Sequence, residues 1–138
     1  MVRGLHVLVV AASVAAVLST VEARQQPASD PAKSRALASQ LVEEATALRA
    51  KQDAASLHQS AAKLQQAIAL WQEAGDRAAE ANAINLLAST RLALGDAAAA
   101  LDGHTSALAI ARAAHSAGAE AAALNGIGRV RDSWGDYD

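Results

Sequence analysis

The chain contains no cysteine and no phenylalanine, one tyrosine and two tryptophans. Without cysteine there are no disulfides and no thiol chemistry, and the compartment is left open. A β-sheet would want β-branched and aromatic residues on its faces, and aromatics are nearly missing. There is no basic tract, and the net charge is −2, so nucleic-acid binding has no electrostatic support. What the chain has in quantity is alanine, which supplies much of a hydrophobic fraction of 52%. Alanine is the best helix former and costs no side-chain entropy, so the composition points to thin, closely packed helices. A length of 138 residues suits one domain of ordinary size.

Residues 1–23 read as a secretory signal. Arg3 supplies a positive start, Leu5 to Leu18 is a mostly apolar run interrupted by His6, and Val21-Glu22-Ala23 is a small-x-small cleavage site before Arg24. The apolar run is about 14 residues, short of the ~20 that a spanning helix needs. Export to the periplasm or medium is therefore expected, with no stable membrane span after cleavage; the alternative is an uncleaved N-terminal anchor. No cysteine follows the run, which excludes a lipoprotein. Residues 24–31, RQQPASDP, form a polar linker, and the folded region is 32–138.

The folded region spells five helices. Asp30-Pro31 is a cap followed by a proline at a first-turn position, where its missing N–H is harmless. The first helix spans about 31–51, with Leu37, Leu41, Ala45 and Leu48 as its apolar stripe. The second spans about 54–74, where Leu57, Ala61, Leu64, Ile68 and Trp71 step by four and three. Gly75-Asp76 stops it and caps the next; Gly95-Asp96 repeats the signal. Helices three, four and five span about 77–94, 97–114 and 118–134. Loops this short make sequential helices antiparallel.

A shift of 40 residues lays the chain on itself without a gap. Glu80, Asn85, Arg91 and Gly95-Asp96 fall on Glu120, Asn125, Arg131 and Gly135-Asp136, and Leu87 falls on Ile127. A fixed period with a helix–turn–helix unit is the mark of an α-solenoid. ANAINLLASTRLALGDAAAALDGHTSALAIA resembles a tetratricopeptide repeat (TPR), a helical hairpin used for protein docking. Leu87-Ala88 stands at the family's Leu-Gly pair and Ile127-Gly128 matches it; Ala100 and Ala107 stand where small residues let paired helices approach. The family prefers aromatics where this chain has Ile84, Arg91, His104 and Arg131. The segment LQQAIALWQEAGDRAAEANAINLLASTRLALGD is similar to TPR regions that precede CHAT domains, caspase-like cysteine proteases of bacteria. The resemblance covers about 54–138 well and 32–53 weakly, and implies about 2.5 stacked repeats.

Gly135-Asp136-Tyr137 reads as the start of a second helix for the third hairpin. The chain is thus expected to be the front of a longer protein or a truncated gene model, with Leu124, Ile127 and Val130 partly bare. A partner, or a second copy associating through that helix, is the alternative cover.

Nothing in the sequence assembles into an active site. His104 and His115 would lie about 16 Å apart along one helix, too far to share a metal, and His104 reads as a half-buried replacement for an aromatic. Adjacent Glu43 and Glu44 point about 100° apart and read as a solvated face rather than an acid–base couple. No G-x-S-x-G motif and no phosphate-binding glycine loop is present. Gly126 and Gly128, within helix five, read as close-packing positions. No cofactor or metal is expected. If the chain has a working surface, the TPR resemblance implies the inner wall, built from the first helix of each hairpin. The polar positions there are Asn82, Asn85 and Ser89, then Asn125, Arg129 and Asp132. Asparagine offers both donor and acceptor to an extended backbone. The leading expectation is an exported scaffold that docks a protein or peptide partner. The sensing arm of a CHAT-type protease, its catalytic domain absent from these residues, is the second; a structural spacer is the third.

Overall fold

A computed structural model describes residues 30–135. The residues expected to form a signal sequence, His6 among them, most of the polar linker, and residues 136–138 lie outside the described residues. Five helices follow one another: α1 (Pro31–Arg49), α2 (Ala54–Glu73), α3 (Arg77–Ala93), α4 (Ala97–Ala113) and α5 (Ala117–Trp134). No strand occurs among the described residues.

Local chemistry sets the boundaries. The carboxylates of Asp30, Asp53, Asp76 and Asp96 each accept a backbone N–H of the first turn they precede, at 2.8–3.1 Å. Pro31 is already the first helical residue, so the linker ends at Asp30. At the other end, Gly75 and Gly95 turn left-handed, with φ of 69° and 86°. The N–H of Asp76 then reaches Trp71 O at 3.0 Å and that of Asp96 reaches Arg91 O at 2.9 Å, closing the Schellman pattern. The third such turn puts His115 at φ 52°, the position equivalent to Gly75 after the 40-residue shift. It is off the helix that carries His104, which removes the in-phase arrangement. A β-carbon at positive φ costs about 1 kcal/mol or more. His115→Gly is therefore expected to stabilise the protein by roughly 1 kcal/mol, read as a rise of about 4–8 °C in Tm.

Neighbouring helices pack as antiparallel pairs, α1 on α2, α3 on α4, then α5 on α4; α5 also reaches α3. Between the hairpins α2 packs on α3, and α1 faces α3 across an open cleft. This is an all-α solenoid of stacked hairpins. Its core is thin. Ala38, Leu41, Ala67, Trp71 and Ala83 join α1, α2 and α3, and Leu64 meets Ala45 and Leu87 one level further on. Ala81, Ala111 and Ala119 join α3, α4 and α5. Ala100 and Ala107 are fully buried, and Gly103 lets α4 close on Ala88, to whose Cβ an added methyl would stand 2.8 Å away.

Several side chains differ from their sequence-based placement. On α1 the buried stripe is Ser34, Ala38, Leu41 and Ala45, while Leu37 is 48% exposed. Ser34 and Ala38 offer little volume, and the small residues let α2 come close: Ser60 donates to Ala45 O at 2.8 Å. On α5, Val130 is fully buried rather than bare, whereas Leu124 and Trp134 are 48% and 51% exposed. Gly128 meets nothing within 4 Å and is no close-packing position.

Candidate functional site

Two open clefts lie on either side of α3. The first, of about 280 Å³, sits between α1 and α3. Ser39, Val42 and Glu43 face Asn82 and Leu86 across a floor of Trp71 and Ala83. The second, of about 320 Å³, lies between α3 and α5 and is lined by Asn82, Asn85, Leu86, Ser89 and Ala122. Asn82 and Leu86 of α3 line both, so the groove across α1, α3 and α5 is divided at α3 by these two side chains.

The helical period organises this wall. Val42, Asn82 and Ala122 occupy the groove on the three helices. Seven residues on, at nearly the same angle, stand Arg49, Ser89 and Arg129. Arg49 is half-buried, and its Nε has no hydrogen-bond partner among the described residues. Burial holds its guanidinium below the ordinary range, and Arg129 adds to this. Arg129 is thus near enough to α1 to be felt there. Neither arginine is in the lining of the two clefts, which is mostly apolar.

The six residues singled out from the sequence separate. Asn82 is exposed at the centre of the groove, and Ser89 lines its far half. Asn125 and Asp132 are exposed but line neither cleft. Asn85 is a correction. It is only 5% exposed, and its amide is fully engaged at the back of the cleft. Its Nδ2 donates to Ala119 O at 3.1 Å, and its Oδ1 lies 3.0 Å from His104 Nδ1. One residue thereby ties α3 to both α4 and α5. Asn125, its counterpart after the 40-residue shift, has no described helix over it and stays exposed. Recurrence of the asparagine is therefore not recurrence of a role.

His104 is also a correction: it is 1% exposed, not half-buried. An amide oxygen can only accept, so His104 Nδ1 carries the hydrogen and donates to Asn85. Its Nε2 is buried without a partner among the described residues. Burial, followed by Arg129, holds the imidazole pKa below its ordinary value. The ring packs on Gly126, where an added Cβ would meet three ring atoms at 2.2–2.4 Å. Gly126 is thus a close-packing glycine. The 40-residue shift places His104 on Leu64 and Gly126 on Leu86. The α2–α3 junction is filled by leucines, and the α4–α5 junction by a histidine facing a glycine.

The recurring glutamates have a structural use as well. Glu80 is 1% exposed, accepting from Gln72 at 2.8 Å and from Arg77 at 2.5 Å. Glu120 accepts from Arg112 at 2.8 Å. Gln72 and Arg112 are themselves 40 apart, so each glutamate fastens a helix start to the end of the helix before it. Glu44, on the exposed face of α1, pairs with Lys63 of α2; that contact and Gln40 hold its carboxyl below the ordinary range. Among the described residues no group of three His, Asp or Glu side chains converges as a metal site would require, and no helix is long and apolar enough to cross a membrane.

The geometry defines the class: an α-solenoid with two open clefts flanking α3. Comparison with protein-family models, with curated proteins and with solved structures gives no match.

Proposed function

We propose that the chain is a tetratricopeptide-type docking scaffold that holds an extended segment of a partner protein along the α1–α3–α5 groove. The observation that carries this reading is the pair of open clefts flanking α3, with Asn82 and Leu86 in the lining of both. A lining that includes Val42, Trp71 and Leu86 suits apolar side chains of a ligand. Asn82 at the centre can both donate to and accept from a peptide backbone. Arg129, exposed on α5 seven residues beyond Ala122, would favour an acidic side chain of a ligand that extends past the second cleft. Export as a scaffold rests on residues 1–23. In a larger CHAT-type protease, the alternative that the resemblance implies, the same groove would be the sensing surface.

The test is selection of peptides from a displayed library against the chain, followed by affinity measurement. Asn82→Arg fills the point between the clefts and is expected to weaken binding tenfold or more, the loss of about 1.4 kcal/mol at a central contact. Gln66→Arg, on the exposed face of α2, is expected to change nothing. Affinity should fall as salt is raised, since part of it comes from Arg129. Binders insensitive to Asn82→Arg, or selection without binders, would count against the groove.

A further inference from the structure

We infer that His104 makes the docking of α5 a pH-sensitive latch: acidification releases α5 from the α3–α4 hairpin and reshapes the α3–α5 half of the groove. The latch is local in geometry. Asn85 bonds to His104 on α4 and to Ala119 on α5, and the imidazole lies on Gly126 of α5. One buried polar pair therefore sets how α5 sits on the two helices before it. Asn85 also lines the groove, so a change in that pair changes the groove wall.

The pair accepts only one protonation state. Neutral His104 donates through Nδ1 to Asn85 and leaves only an unpaired acceptor at Nε2. A second proton would put a charged donor at Nε2, buried, with no acceptor among the described residues. The charges around it do not help. On α3 the ring faces the uncharged amide of Asn85, and on α5 it faces Gly126, with the Arg129 guanidinium close enough to oppose a second cation. Arg49, at the end of α1, adds positive charge near Arg129. On α4 the nearest acid is Asp102, exposed and about 160° round the helix from His104. Glu120 on α5 is taken up by Arg112.

The sign follows from linkage. The folded state holds the neutral ring, while the unfolded chain takes up a proton near the ordinary histidine pKa of about 6.5. Stability is complete above that pH and is lost as pH falls towards the depressed folded pKa. Between pH 7.5 and 5.5 the folding equilibrium constant should drop through this one group, by about tenfold at most.

The experiment is native-state hydrogen exchange and urea unfolding of the full chain at both pH values, with His104→Gln beside the wild type. Glutamine keeps a donor for Asn85 and removes the titration. In the wild type, α5 amides should lose protection on acidification while α1 and α2 amides keep theirs; in the variant the difference should vanish. Should His104→Gln fail to fold, the His104 ring is titrated by NMR in the wild type, with His58→Gln and His115→Gln identifying the other resonances. A ring that stays neutral in the folded protein below about pH 6, with α5 opening as it titrates, supports the latch. The idea is overturned by an equal loss in His104→Gln, by loss spread evenly over all helices, or by a ring that titrates at its ordinary value with α5 still protected. None of these readouts depends on what the groove binds.

Discussion

Gly126→Ala is expected to destabilise the protein by about 1–3 kcal/mol or more, although alanine is the better helix former. Propensity alone argues the other way, since glycine inside a helix costs about 1 kcal/mol relative to alanine. Packing decides here. The added Cβ would stand 2.2–2.4 Å from the His104 ring, which is fully buried and held through Asn85. Neither side has room to give: the ring cannot turn without breaking its bond, and α5 cannot retreat without losing Ala119 O as the acceptor for Asn85. Gly128, two residues on, is the internal control. An added Cβ there meets nothing within 4 Å, so Gly128→Ala should stabilise by about 0.5–1 kcal/mol. The clash also has an assignable partner. In a His104→Ala background Gly126→Ala should become neutral or favourable, giving a coupling of about 1–3 kcal/mol between the two sites. Urea unfolding of the four proteins, followed by circular dichroism, measures it. Equal effects of Gly126→Ala in both backgrounds would show that the histidine is not the obstacle.

The helices were legible in the sequence because their ends are written in strong local chemistry. Aspartate caps start α1 to α4 and left-handed glycines follow α2, α3 and α5, each acting within four residues, whereas the turn between α4 and α5 has His115 and Ser116 instead. The phase of the helices was harder to read. Where most small positions are alanine, hydrophobicity does not say which face is buried, and the close approach of α2 rather than side-chain size selected Ser34 and Ala38 over Leu37. Asn85 was misplaced for a different reason. A polar residue near an inner wall reads as outward unless its partners are known, and those partners are 19 and 34 residues away. Part of that signal was nevertheless present. The 40-residue shift pairs Leu64 with His104 and Leu86 with Gly126, a bulkier polar ring matched to a lost side chain. The same shift pairs Gly75 with His115, which marks the strained turn. Of the cleft linings, the α3 residues Asn82 and Ser89 were named from the sequence and the α1 residues were not, because which helix lies opposite is a tertiary fact.

Trp71→Ala is expected to cost about 3–5 kcal/mol and to leave the first hairpin poorly attached to α3. Trp71 is the largest side chain in a core otherwise made of Ala38, Leu41, Ala67 and Ala83, and it touches all three helices through that cluster. Alanines cannot swell to refill the space, so much of the cavity would persist, and cavity volume is what raises the cost of such truncations. The equivalent position at the next junction is Ala111, packed with Ala81 and Ala119, where the buried cluster is made of alanines and Ile110 packs against it. The two junctions are therefore held differently: the first by an aromatic wedge, the second by close approach and the Asn85–His104 pair. A domain of this size has about 5–15 kcal/mol to lose in total, and a core so rich in alanine lies towards the lower end. Loss of Trp71 should then leave a substantial unfolded fraction at 37 °C. Ala111→Gly should cost only the propensity and methyl loss, about 1–2 kcal/mol. Trp71 also floors the first cleft, so milder replacements separate its two duties. Trp71→Leu should retain most of the fold while widening the cleft and weakening any apolar ligand side chain seated there. Thermal melts followed by circular dichroism, run beside affinity for a selected peptide, read both effects. A Trp71→Ala protein with an unchanged melting temperature would mean that the wedge is not what joins the first hairpin to α3.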